Sequence, residues 1–335
     1  MNIKGIIKAE SYNFLRTNDH IKDKLVFLTL GGSHAYGTST PTSDIDIRGC
    51  ALNSKSDLLG LTSFDQVMEP VTDTTVYSFN KLVNLFLNAN PNAIEMLGCK
   101  SEHYLMFSPI AQEMIDNRKM FLSRRAVNSF GGYANQQLRR LQNAVARDAL
   151  SQQDKEQHML LSMKNAMMSF DERYKIFPQG SIELFIAESD KEDMATEIFM
   201  NVNLENYPLR DFRSMVGEMQ EIIKAYGKLN HRNNKKSEQG LNKHAMHLIR
   251  LYLMAIDIFE QEEIITYRER DLDLLCSIRG GQYMNEDGTY QHTFFEMLDG
   301  YEKKLAYAVK NSSLPEQPNF KLIQDFVISV NERST

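Results

Sequence analysis

Leu25-Val26-Phe27-Leu28-Thr29-Leu30-Gly31-Gly32-Ser33-His34-Ala35-Tyr36-Gly37-Thr38-Ser39-Thr40-Pro41-Thr42-Ser43-Asp44-Ile45-Asp46-Ile47-Arg48-Gly49 is the stretch whose reading decides the fold. An apolar run over 25–30 predicts a strand, which enters a Gly-Gly-Ser turn and a short helix. A second strand is expected at about 43–52. Alternate side chains of a strand share a face, so Asp44 and Asp46 project together while Ile45 and Ile47 turn to a core. Two carboxylates so placed repel each other and call for a cation between them. Their hard oxygen donors suit Mg²⁺ or Mn²⁺. Glycine lets backbone approach a phosphate closely, and a strand-to-helix turn aims N–H groups at an anion. Ser33 adds a hydroxyl donor. Metal on aspartates, with a triphosphate held between metal and turn, is the logic of nucleotidyl transfer.

Outward from that stretch, composition sets bounds. The 335 residues suffice for two modest domains. The formal net charge of −6 argues against a general nucleic-acid-coating protein and leaves room for a local basic groove. Cys50, Cys99 and Cys276 are far apart and form no CxxC pair, so neither a disulfide framework nor a zinc site is expected. The start of the chain lacks a signal-peptide pattern, and no apolar run approaches the roughly 20 residues that span a bilayer. A cytoplasmic protein without a membrane partner is the expectation. There is no GxxxxGK[ST] loop, no GxSxG elbow and no HExxH helix, which sets aside P-loop, α/β-hydrolase and zincin chemistries.

Residues 1–108 read as mixed α/β. Asp73-Thr74-Thr75-Val76-Tyr77-Ser78-Phe79 predicts a third strand, and Lys81–Leu87 has helical spacing that ends at Asn90-Pro91-Asn92. Residues 109–335 read as helical, with apolar periodicity over 109–122, 126–150, 153–170, 209–229 and 239–261. A break falls at Phe177–Ser181 and a polar loop at His231–Gly240. The expected organisation is a catalytic domain over 1–108 and an α-helical domain over 109–335.

The Gly32-Ser33 pair, ten intervening residues and Asp44-Ile45-Asp46 resemble the signature of the DNA polymerase β-like nucleotidyltransferase superfamily. More narrowly, Gly32–Thr38 with Pro41–Gly49 is similar to the predicted nucleotidyltransferases associated with RNA ligases. Further pieces are Asn90-Pro91-Asn92 with Glu95, Phe130-Gly131-Gly132-Tyr133 with Gln136, Lys243-His244 with His247 and Arg250, and Arg279-Gly280-Gly281. The resemblance implies an α+β fold, with a small mixed sheet carrying three carboxylates and a helical domain after it.

In that reading Asp44 and Asp46 bind both metals, and Gly32 and Ser33 hold the β- and γ-phosphates. A third carboxylate must deprotonate the attacking hydroxyl or complete a metal shell. Asp73, at the head of the third strand, is the first choice, with Glu69 and Glu95 as rivals. Arg48 shares the face of the aspartates and either neutralises triphosphate charge or pairs with Asp46. Tyr36 and Thr38 lie in the loop over the phosphates. Lys243, His247 and Arg250 fall at i, i+4 and i+7 of one helix, a basic stripe suited to a triphosphate or an acceptor phosphate. Arg139 and Arg140 with Tyr133 and Gln136 form a smaller polar cluster.

The donor is an NTP, ATP by default, and the acceptor an RNA end by analogy with RNA-ligase association. A protein hydroxyl or a small molecule is the alternative acceptor, towards which the acidic charge leans. A nucleotide-binding module without turnover is a third reading, against which the intact aspartates count.

Overall fold

The computed structural model describes residues 3–131, 180–188, 196–205, 238–286 and 288–334, with isolated stretches of one to three residues between them. The helices expected over 126–150, 153–170 and 209–229 fall largely outside the described residues. So do Tyr133, Gln136, Arg139 and Arg140, and most of the His231–Gly240 loop.

The fold is α+β. Five strands, β1 (Leu25–Leu30), β2 (Ile47–Ala51), β3 (Gln66–Glu69), β4 (Thr74–Ser78) and β5 (Tyr104–Phe107), form one mixed sheet in the order β3-β4-β2-β1-β5. β1 is antiparallel to β2 and β5, β2 is parallel to β4, and β3 is antiparallel to β4. The short helix α1 (Gly32–Tyr36) follows β1, and α2 (Phe79–Leu87) follows β4. Ser78 caps α2 by accepting the Lys81 N–H, and its apolar side buries Phe79, Leu82, Val83 and Phe86.

The second strand starts later than its sequence suggests. Asp44, Ile45 and Asp46 precede β2, whose ladder with β1 begins at Ile47 facing Leu30. The inward alternation holds all the same. Ile47 is fully buried and Ile45 partly buried in a cluster with Leu28, Leu30 and Val76.

Contacts divide the chain into two compact units: residues 1–139 with 242–283 and 291–335, and residues 140–241 with 284–290. The division does not follow the expected boundary at 108. Helices α3 (Pro109–Asp116), α4 (Glu238–Gln261), α5 (Leu272–Arg279), α6 (His292–Asn311) and α7 (Phe320–Ser334) lie beyond it. Yet Met114, Met254, Phe259, Ala308, Ile323 and Val330 share one core with Val26, Cys50, Phe79 and Phe86 of the sheet and α2. Apolar periodicity marks which helix face is buried and carries no information about its partner, which is why the sequence divides the helices from the sheet.

The second unit contains a hairpin of β6 (Gly180–Glu188) and β7 (Thr196–Leu204), in a region read as helical. Phe185 faces Phe199 across it, with stacked rings 6.0 Å apart. Among the described residues no helix is long and apolar enough to cross a membrane.

Phe86 packs on Phe121 at 4.9 Å and Phe79 on Phe326 at 6.1 Å. Residues 1–108 produced alone should therefore expose these rings and aggregate rather than fold. Size-exclusion chromatography of the fragment checks this; a monodisperse, cooperatively unfolding monomer would restore the boundary at 108.

Candidate active site

The parallel pairing of β2 and β4 sets Ile47 opposite Thr74. The preceding residues, Asp46 and Asp73, therefore meet at the same end of the sheet. Asp73 closes a turn with left-handed backbone, φ 41°, and its carbonyl accepts the Ile47 N–H at 3.2 Å. Its carboxyl lies within hydrogen-bonding reach of Asp46. Of the three candidates for a further carboxylate, Asp73 is the one brought to Asp46. Glu69 instead accepts the Val71 N–H at 3.2 Å, and Glu95 is buried elsewhere.

Arg48 straps the pair. Nη1 and Nη2 both lie 3.2 Å from Asp73 Oδ1, Nη1 donates to the Asp73 carbonyl at 2.6 Å, and Nη2 is 3.5 Å from Asp46 Oδ1. Burial, then the hydrogen bond and charge of Asp73, push the Asp46 carboxyl up to about 7, against the pull of Arg48 and Lys243. The hydrogen bond to Asp46 and the Arg48 guanidinium pull Asp73 below the ordinary carboxylate range. The two behave as one dyad sharing a proton.

The Gly-Ser turn sits directly on Asp46. The Gly31 N–H donates to the Asp46 carbonyl at 2.8 Å. A Cβ on Gly32, whose φ is +54°, would lie 1.8 Å from Asp46 Oδ2, so only glycine fits. Ser33 and Thr38 are buried. Asp44 is exposed, and among the described residues no three His, Cys, Asp or Glu side chains gather closely enough to hold a metal ion. The structure brings Asp46 and Asp73 together and leaves Asp44 outside that pair.

The stripe on α4 is not one open basic face. Lys243 is exposed and its charge acts on both members of the dyad. His247 lies edge-on to Tyr36 at 5.7 Å; burial, then Arg250 and Lys243, hold its ring well below the ordinary histidine value, so it is neutral. Arg250 is only 3% exposed. Its guanidinium stacks 3.6 Å from the Tyr36 ring centre and pairs with Glu95 Oε2 at 3.0 Å. Tyr36 donates its hydroxyl to Glu95 Oε1 at 2.8 Å. Tyr36, Glu95 and Arg250 thus form a buried cluster beneath the turn. Steps of four and three residues along α4 carry one stripe from solvent into the core, a descent that helical spacing does not reveal.

Arg279 is missing from the residues the sequence reading singled out for the site. It donates to the Thr38 carbonyl and, at 3.1 Å, to Ser43 Oγ. Its only signal in the sequence is the Arg279-Gly280-Gly281 piece of the resemblance.

A mixed sheet with a Gly-Ser turn set against paired carboxylates at one end is the arrangement of a polymerase β-like nucleotidyltransferase. Residues 6–170 match a family model described as RNA repair pathway DNA polymerase beta family, which supports the polymerase β-like nucleotidyltransferase family for that part of the chain. No curated protein and no solved structure matches the chain.

Two outcomes follow. Between the ordinary value of 3.8 and about 7, the folded chain keeps an Asp46 proton that the unfolded chain has released. Stability therefore falls as pH rises through that window. Asp46→Asn removes the loss, so its melting temperature should exceed that of the parent by a few degrees at about pH 8 and converge with it near about pH 4. Thermal melts across pH check this, and a difference independent of pH would refute the dyad. Separately, Arg250→Ala strands the Glu95 carboxylate in the core and should cost about 3–5 kcal/mol in urea unfolding.

Proposed function

We propose that the chain is a metal-dependent nucleotidyltransferase that moves an NMP unit from an NTP, with ATP the default donor, to a hydroxyl at an RNA end. The observation that carries this reading is the Asp46–Asp73 dyad, strapped by Arg48 and seated against the Gly32 turn. The words RNA repair in the family description favour an RNA end over a protein hydroxyl or a small molecule.

The donor set fits a hard divalent cation. Two adjacent carboxylates, partly desolvated and sharing a proton, are relieved of their repulsion by a cation in the proton's place. Asp46 and Asp73 would hold Mg²⁺ or Mn²⁺, with Asp44 completing the set. A bound cation supplies charge neutralisation on the triphosphate and acidifies the attacking hydroxyl.

The chain's own residues do the rest. Gly32 and Ser33 let the turn approach the β- and γ-phosphates, with Thr38 in the loop beyond. Lys243 offers an exposed ammonium to the same charge, and Arg48 fixes both carboxylates. The acceptor oxygen attacks the α-phosphorus in line, its proton passes to a carboxylate, the bond to the β-phosphate oxygen breaks, and pyrophosphate leaves. Tyr36, Glu95, His247 and Arg250 support the turn from below.

The test uses α-³²P-labelled NTPs, one at a time, with Mg²⁺ or Mn²⁺ and an RNA-plus-protein extract. Label should appear on RNA, weaken steeply with added salt, and fall by about 10²–10⁴-fold in Asp46→Asn and Asp73→Asn. Label on protein would move the acceptor to a protein hydroxyl. Full activity in both variants would sink the site.

A further inference from the structure

Asp44 needs an anchor that β2 does not provide. The strand begins three residues later, at Ile47, and the segment joining α1 to Asp44 is Gly37-Thr38-Ser39-Thr40-Pro41-Thr42-Ser43, small and polar throughout. A loop of this kind loses much conformational freedom when held in one geometry.

The loop is held from α5. Arg279, the last residue of that helix, donates through Nη1 to the Thr38 carbonyl and through Nη2 to Ser43 Oγ at 3.1 Å. One planar guanidinium thereby spans the loop from its second residue to its last. Ser43 Oγ also accepts the Thr40 N–H at 2.8 Å and lies 3.0 Å from Thr40 Oγ1, which folds the loop onto the point that Arg279 grips. The base of the loop is flush with the same part of the chain. A Cβ on Gly37, at φ +81°, would come within 2.7 Å of Tyr267 and 2.8 Å of Leu272.

The grip is itself fixed. α5 ends at Gly280 and Gly281, and a Cβ on Gly281, at φ +85°, would fall 2.9 Å from Asn242 Nδ2. Asn242 immediately precedes Lys243, whose charge acts on the dyad. The end of α5 is therefore seated against Asn242, the residue before Lys243.

We propose that Arg279 is a positioning residue. It clamps the Thr38–Ser43 loop and so limits how far Asp44, which stands outside the Asp46–Asp73 pair, must move to reach a divalent cation held there. This deepens the proposed function and rests on it for the role of the cation; the clamping of the loop is readable without it.

The experiment uses the full chain, as wild type, Arg279→Ala and Arg279→Lys. Hydrogen–deuterium exchange of peptides covering 37–46 reads the loop without any ligand, and calorimetric titration with Mn²⁺ reads the site without turnover. In Arg279→Ala, exchange over 37–44 should rise by about tenfold while β1 and β2 keep their protection. Mn²⁺ affinity should drop by about tenfold or more and return in part with millimolar guanidinium chloride or in Arg279→Lys. Unchanged exchange overturns the proposal. So does faster exchange with unchanged Mn²⁺ affinity. If Arg279→Ala also loses protection in β1 and β2, the guanidinium and lysine arms decide: restored Mn²⁺ affinity supports positioning, and its continued absence overturns it. Wild type that binds no Mn²⁺ overturns the cation reading and the role of Arg279 in it, whereas the loop exchange identifies a failure confined to the clamp.

Discussion

One register constrains everything at the working end of the sheet: Ile47 faces Thr74 across a parallel pair. A parallel neighbour needs a crossover, and here the chain supplies it through β3, which returns antiparallel to β4. Both strands then start at the same edge, with Asp46 before one and Asp73 before the other. Side by side and partly desolvated, the two carboxylates cannot both ionise cheaply, so they share a proton and are strapped by Arg48. The unfavourable charge density is the useful property. It is the feature on which the proposed cation binding rests.

Beneath the turn, the chemistry runs the other way. Tyr36, Glu95 and Arg250 satisfy each other's charge and hydrogen bonds away from water. A buried ion pair rarely adds net stability, and losing one partner is expensive. Through this cluster Arg250 of α4 is tied to Tyr36 of α1. The neutral His247 beside Tyr36 avoids adding a second positive charge there. The helix that carries the exposed Lys243 is thus locked, seven residues on, to the helix that carries the Gly-Ser turn.

Much of this was legible in the chain. β1, β4 and α4 follow from apolar alternation or helical period, signals that depend on neighbours in sequence. β2 starts a few residues later than the alternation of Asp44-Ile45-Asp46 predicts, because the ladder with β1 begins only at Ile47. β3 and β5 are each four residues long, too short for a periodic signal. The contacts draw a different division from the expected one at 108 for a similar reason: amphipathic helices announce a buried face and not what buries it.

Local pattern by itself determined the turn and its contact with Asp46. Gly32 is dictated by a left-handed backbone against the Asp46 carboxylate, a constraint written within fifteen residues. Tertiary structure alone decided which carboxylate joins Asp46, because Asp73, Glu69 and Glu95 look alike in sequence and only strand register separates them. It also decided that Arg250 is core and Lys243 surface, though both lie on one stripe, and that Arg279 reaches Thr38 from 241 residues away. Contacts at that separation are set by how the helices pack around the sheet, and no repeat along the chain encodes them.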